Sequence, residues 1–422
     1  MAETADAIAI GGSPVRRLLA DPPIVTGLFV AAVATVDISA FNIYRYLLVS
    51  DGLLLTAAVI ACVQRKSATV YVPTLISVLF GAYLLSSAFA FLRPVHPGLG
   101  VFTWAHSAFL MIVYVPAATT LLTLRPDLRR TLLVTLLVST TVQAAITVAE
   151  VAAGLNWQTG TRIPGAFGSV HVWIYAVSVV AIVAIVMIGS WRQKAFALGC
   201  LVVIAAAEMF RKSRMLWIAS VLGGALFAFV QARHKITAIL FSAIAIVAIA
   251  AGYALDLYHP AVQERITATL RPTETPDLIE RIKVVEQLTE EFIESPIVGL
   301  GLRQSEPYLS ETPSPPLVLE IHNVVMHAAV EGGAVAALAI ALMPIAIVLL
   351  WRAAWALQPG SRWLVNWLGA ALTAIYVAAQ LTPALFEHSF YLLIAALASL
   401  TVTELARAPA TERLRSESRT PS

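Results

Sequence analysis

Twelve runs of roughly twenty mostly apolar residues follow one another along this chain, near 24–43, 46–63, 70–92, 100–124, 131–153, 171–190, 195–210, 215–230, 236–254, 322–350, 363–382 and 385–402. A helix of that length crosses a hydrocarbon core of about 30 Å, and in lipid each backbone N–H and C=O must find its partner inside the protein. The sequence therefore reads as an all-α polytopic membrane protein with about twelve transmembrane helices. Composition agrees, since 59% of the 422 residues are hydrophobic and only 13% are charged, too little polar surface to cover a soluble domain of this size. A net charge of +3 without an aromatic-interleaved basic patch argues against a nucleic-acid partner. Cys62 and Cys200 lie inside apolar runs, so they describe neither a disulfide framework nor a metal-ligand spacing. The N-terminus has no basic stretch ahead of its short apolar piece, so a cleaved signal peptide is not expected.

Orientation follows from Lys and Arg, which cytoplasmic loops retain in excess. With the N-terminus inside, most of the 28 cations face the cytoplasm, among them Arg16, Arg17, Arg65, Lys66, Arg125, Arg129, Arg130, Arg192, Lys194, Arg352 and Arg362. The expected plan is a tail and spans 1–9 over 1–254, an extracytoplasmic loop or lid over 255–321, spans 10–12 over 322–402, and a cytoplasmic tail over 403–422. The cations left outside gather in the middle and later chain.

Arg211, Lys212 and Arg214, in "AEMFRKSRMLW", are the densest of these. The apolar runs on either side are short, roughly 24 Å each as helix, which sets their turn below the outer membrane surface. Cations there need anionic partners or water. Glu208 stands four residues before Lys212 and can pair with it, which leaves the two arginines. They either snorkel to the headgroups or form an anion site in an outward-facing cavity.

The long outer segment contains "PDLIERIKVVEQLTEEFIESP", amphipathic at helical spacing. Arg281, Val285, Leu288 and Phe292 share one stripe, and Lys283, Glu286 and Glu290 face away. Arg281 either lays its stem over apolar surface or points into a buried site. Ser295-Pro296 stops the helix, and "PIVGLGL" supplies two glycines for a tight excursion. Structure within so long a connection suggests a lid. The chain then turns back into the membrane at "LEIHNVVMHAAVEGGAVAALAIAL". His322 and Asn323 stand at the N-terminus of that span, where the helix dipole disfavours a charged imidazole. His327 and Glu331, four apart, read as an internal pair, and Gly332 and Gly333 as a site of close helix approach.

Arg281 on its helix, "SPIVGLGL", "IHNVVMHAAVEGG" and the upstream "SRM" together resemble the O-antigen ligase and O-antigen polymerase superfamily. The resemblance covers the twelve-span plan and the motifs at about 210–335, and nothing diagnostic lies in the first 150 residues. It implies a GT-C-like membrane glycosyltransferase in the inner membrane, with both termini cytoplasmic. Such an enzyme moves a glycan from an undecaprenyl-diphosphate carrier to a glycan or lipid acceptor hydroxyl on the extracytoplasmic face, without metal or other cofactor. By resemblance, Arg214 and Arg281, with Arg211 beside them, hold the diphosphate, and His322 stands near the acceptor with Asn323 next to it. The aromatic residue that often follows the loop arginine in that family is not evident here.

The chemistry fits the residues. Guanidinium forks bind diphosphate oxygens bidentately and stay charged at any working pH, and fixed cations stabilise the charge that builds on a departing diphosphate. The outer loop has no Asp-x-Asp metal pair. Arg162, in "NWQTGTRIPGAFGSVHV", offers a third cation or is a plain loop residue. The competing class is a secondary transporter or a lipid or oligosaccharide flippase, for which Asp37, Glu150 and Glu208 are the intramembrane carboxylates; no repeated halves speak for it. The topology is checked by placing single cysteines at Ser213 and Ser310 after replacing Cys62 and Cys200. An impermeant thiol reagent should label both from outside, and protection of both would reverse the orientation.

Overall fold

The computed structural model describes residues 22–36, 42–44, 47–65, 74–89, 97–154, 173–211, 214–231, 267, 276–311, 321, 323–380 and 388–402. They are almost entirely helical. In chain order the helices are α1 (Pro22–Thr35), α2 (Val49–Arg65), α3 (Thr74–Phe89), α4 (Pro97–Phe109), α5 (Val115–Leu124), α6 (Leu128–Ala152), α7 (Trp173–Ile188), α8 (Trp191–Arg211), α9 (Arg214–Gln231), α10 (Pro276–Glu294), α11 (Ser305–Glu311), α12 (Val324–Leu357), α13 (Arg362–Ala379) and α14 (His388–Val402). A π-helical turn, Leu110–Tyr114, joins α4 to α5.

Among the described residues, three helical stretches are long and apolar enough to cross a membrane: Gly100–Leu124, Leu128–Ala152 and Val324–Leu357. Shorter apolar helices occupy the positions expected for spans 1, 2, 3, 6, 8 and 12. The ninth expected span, 236–254, lies outside the described residues. The first differs from expectation: its helix stops at Thr35, and Asn42–Tyr44 instead pairs antiparallel with Leu47–Leu48. Asn42, Tyr44 and the β-branched Ile43 are poor continuations of a helix, and pairing satisfies their backbone just ahead of α2. The tenth span is longer than expected and broken, because Gly333 sits at φ 78°, ψ −177° within α12.

Burial sorts the helices. Every residue of α14 from His388 to Leu400 is buried, and so is most of α13, as expected for helices apolar on most sides. Around them, α14 packs on α5, α12 and α13, while α13 also touches α7 and α9. Small residues allow the closest approach: a side chain on Gly223 of α9 would meet Val180 of α7 and Ala374 of α13 at once. Asn366 near the start of α13 donates to Gln231 at the end of α9 at 2.8 Å. Those contacts make α9 and α13 antiparallel, so the Arg214 end of α9 lies toward the Gln380 end of α13.

Expected cytoplasmic cations collect at the opposite end. Arg129, buried at the start of α6, donates to Leu122 O (3.0 Å), Ser399 Oγ (3.0 Å) and Ser399 O (2.9 Å). One guanidinium thus satisfies carbonyls near the C-termini of α5 and α14, where a cation also complements the helix dipoles. Nearby, Gln358 donates to Leu400 O, Arg130 lies over Trp363, and Arg362 lies over Trp355. Aromatic rings and cations at one end of a bundle match a membrane–water boundary. Arg129→Ala should cost about 2–4 kcal/mol by leaving buried acceptors unanswered, read as a lower unfolding midpoint in detergent, whereas Arg192→Ala, on the exposed first turn of α8, should change it little.

Candidate functional site

The site is organised by the break in α12. At Gly333 the chain leaves helical geometry, and four backbone groups around it bond outside the helix. Val330 O accepts from Leu300 N at 2.7 Å, Glu331 O from Gly301 N at 3.0 Å, and Gly332 O from Ser86 Oγ of α3 at 2.6 Å, while Ala334 N donates to Pro296 O at 2.8 Å. The "PIVGLGL" segment is the partner in three of the four. Its glycines make the fit possible, with Gly299 at φ 70° and Gly301 at φ 105°. A Cβ on Gly299 would come within 2.6 Å of Val330 O, and one on Gly333 would overlap the Ile297 carbonyl. The expected tight excursion is therefore a loop seated in a helix break. Gly332 does serve close helix approach, against Ser87 of α3, but Gly333 serves the break.

Glu331 locks the arrangement. Its buried carboxylate accepts from Arg303 N at 2.8 Å and from the hydroxyl and N–H of Ser305, and lies 2.8 Å from His327 Nε2. The expected pair of His327 and Glu331 thus forms, and its larger role is to tie the start of α11 to α12. A buried carboxylate is tolerable because several donors surround it. Arg303, at φ 61°, holds a left-handed conformation rare for a residue with a Cβ, and its N–H is one of those donors. α11 in turn leans on α10: burial, then the charge and hydrogen bond of Glu291, push the Tyr308 phenol above its ordinary range.

The sequence-derived residues fall out as follows. Asn323 caps α12, accepting from Met326 N at 2.9 Å, and its amide donates to Gln380 Oε1 at 3.4 Å. Since α9 runs antiparallel to α13, the Arg214 end of α9 and Asn323 lie toward the same end of the bundle. Arg211 is the last residue of α8 and Arg214 the first of α9. Glu208, buried, accepts from Ser220 Oγ at 3.2 Å; its expected partner Lys212, together with Arg162, His322 and Asp37, lies outside the described residues. The apolar part of α8 is as short as read, but the helix runs 21 residues because Trp191, Arg192 and Lys194 form its first turn.

Arg281 lies in the second turn of α10. The stripe read from sequence needs one correction. Val284 and Leu288 are the buried positions, whereas Val285 is exposed, because the buried arc is centred about 80° from where Val285 points. Val284 and Leu288 share one apolar cluster with Leu300, Leu309, Ile321 and Val330, with Met326 packed against it. This cluster joins the helix of Arg281 to the start of α12, next to Asn323. Lys283 is exposed and pairs with Glu280 at 2.7 Å, facing away as expected.

Sequence reading missed a second polar cluster. His388, at the start of α14, lies 3.1 Å from Asp51 Oδ1 and 3.2 Å from Oδ2 in α2, both groups buried. The His106 ring packs against His388 at a tilt, centroids 5.3 Å apart, and Tyr114 meets it edge-on at 5.6 Å. His388 is 337 positions from Asp51, and the local sign of each of the two is a polar residue in the first turn of an apolar helix. Among the described residues, no group of three or more His, Cys, Asp or Glu is placed to hold a metal ion.

The seat of the loop gives a direct test. Gly333→Ala adds a left-handed strain to an overlap with backbone and should cost more than about 3 kcal/mol, measured as loss of folded protein in detergent. Gly360→Ala, where a Cβ meets nothing within 4 Å, should leave the melting curve unchanged.

Comparison with known proteins adds the following. Residues 199–341 match the O-antigen ligase family (Wzy_C). A chain from a solved structure described as "Structural coordination of polymerization and crosslinking by a peptidoglycan synthase complex" aligns with a TM-score of 0.50 at 16% identity, covering 80% of this chain and 99% of that one. At that identity the likeness concerns the fold. No curated protein sequence matches. The matched residues, 199–341 of the 422, contain α9, α10, the seated loop and the broken start of α12, so the similarity to the O-antigen ligase family falls on the elements that meet at the helix break.

Proposed function

We propose that the protein takes a glycan from an undecaprenyl-diphosphate carrier and joins it to an acceptor hydroxyl on the extracytoplasmic face of the inner membrane, as a ligase or a polymerase. In this reading twelve spans place both termini in the cytoplasm, and residues 255–321 form an outer lid. Arg214 and Arg281, with Arg211, hold the diphosphate, and Arg162 adds a further cation. The acceptor oxygen attacks the anomeric carbon, the bond from that carbon to the diphosphate oxygen breaks, and the acceptor proton passes to His322, with Asn323 holding the start of α12. Arginine suits the role because its fork stays charged and meets two phosphate oxygens at once. The charge that grows on the leaving oxygen is then met by groups already in place.

The observation that supports this most is the common end. Asn323 bonds to Gln380, and the register of α9 on α13 sets the Arg214 end beside it. The cluster of Val284, Leu288 and Ile321 brings the helix of Arg281 to the same start of α12. That the helices carrying Arg214 and Arg281 both lead toward the start of α12 supports assigning the two arginines to one site.

Purified protein, a synthetic undecaprenyl-diphosphate glycan and candidate acceptors test the reading, the product distinguishing ligase from polymerase. Arg214→Ala and Arg281→Ala should each abolish transfer with the protein still folded, and Lys at either position should restore little, while Lys283→Ala should be nearly silent. His322→Ala should lower turnover by roughly 10²–10⁴-fold with donor binding retained. A neutral imidazole is the active form, so the wild-type rate should fall as pH drops through the histidine's titration, and the variant should lose that limb. Full activity in Arg281→Ala would remove α10 from the site.

A further inference from the structure

α10 has three faces rather than two. At 100° per residue, Val284, Leu288 and Ser295 form a buried arc, and Lys283, Glu286, Glu290 and Glu294 a charged one. Between them Ile282, Val285, Thr289 and Ile293 form a third arc about 80° wide, and it is apolar yet uncovered. Ile282 is 48% exposed, Val285 46% and Ile293 69%, and Ile297 just beyond the helix is 74% exposed. Four large aliphatic side chains in one exposed line are more than a soluble surface usually tolerates, and such stripes mark a partner or a membrane.

The line continues into a surface whose neighbour is lipid. Pro296 accepts from Ala334 N, and the Ile297 carbonyl abuts Gly333, so Ile297 sits on α12 about ten residues, or roughly 15 Å of helix, beyond Asn323. From that level α12 exposes Val335, Leu338, Leu342, Ile345, Val348 and Leu349, and α12 is one of the stretches long and apolar enough to cross a membrane. Its exposed aliphatic band therefore runs without interruption through Ile297 onto Ile293, Val285 and Ile282. The charged arc of α10 lies away from this band, as in a helix that rests in an interface with its polar side to water.

We infer that α10 is a membrane-interface helix whose Ile282–Val285–Ile293–Ile297 stripe sits among the acyl chains of the bilayer. Bilayer lipid is the occupant because the stripe extends a lipid-facing band and carries no cation of its own to select a headgroup. The inference goes beyond the proposed reaction and does not need Arg281 to bind diphosphate. It places the helix bearing Arg281 at the level where a lipid-linked donor exposes its head.

Single cysteines at Ile282, Val285, Ile293 and Ile297, with Lys283 and Glu290 as controls, are spin-labelled in full-length protein lacking Cys62 and Cys200. The protein is held in phosphatidylethanolamine–phosphatidylglycerol nanodiscs and collisions with oxygen and with a water-soluble nickel chelate are compared. The stripe should favour oxygen and the controls nickel. Equal ratios at all six positions would overturn the inference, and so would protection of the stripe from both reagents, which would mean that protein covers it. In the unaltered protein, a lipid with a diazirine in its acyl chain should leave adducts within 282–297 as well as on α12. Adducts confined to α12 would overturn the inference even if the cysteine variants failed to fold, and transfer activity plays no part in either readout.

Discussion

A backbone that leaves helical geometry inside an apolar bundle must find other partners for its polar groups, and in lipid each one left unmet costs several kcal/mol. At Gly333 two elements among the described residues meet this demand. Ser86 of α3 answers one carbonyl, and the segment from Pro296 to Gly301 answers two carbonyls and one N–H. The position of that segment is thus dictated by hydrogen bonding. Everything attached to it, α10 on one side and α11 on the other, inherits the placement.

Glu331 adds a charged version of the same constraint. Its carboxylate is buried within the first three turns of α12 and collects donors from His327, Arg303 and Ser305. Charge-assisted hydrogen bonds of this kind are stronger than neutral ones, and breaking a buried set by removing one member costs more than forming it gains. Loop and helix are consequently coupled: a change that unseats the loop also exposes a buried charge. This coupling supports a rigid attachment for the helix that carries Arg281, which a site for a diphosphate needs if its cations are to be in place before charge develops.

At the other end of the bundle Arg129 works by the same logic with the sign reversed, a cation answering carbonyls at two helix C-termini. The molecule thus holds its two ends by different means. One end uses the buried guanidinium of Arg129, with Arg130 over Trp363 and Arg362 over Trp355 nearby. The end toward which Asn323 and Arg214 lie uses glycines, a seated loop and a buried carboxylate.

What could be read from sequence was whatever local spacing carries. Runs of about twenty apolar residues predict spans, and helices stand at the described ones; Ser295-Pro296 predicts a helix end, and α10 ends at Glu294. His327 and Glu331 at a spacing of four predict a pair, and they meet. Tertiary structure decided the rest, because its determinants are far apart in the chain. Gly332 and Gly333 look alike in sequence, yet one admits α3 and the other breaks the helix, since only the second faces Ile297. Val285 belongs to the stripe by spacing, yet Val284 is buried in its place, since the angle at which α10 meets the cluster of Leu300, Ile321 and Val330 is set by the seated loop. Asp51 and His388 are 337 residues apart, and no local pattern joins them. Periodicity tells which face of a helix is apolar, while the partner that covers it depends on contacts that close long loops, and those are written in no single stretch of the sequence.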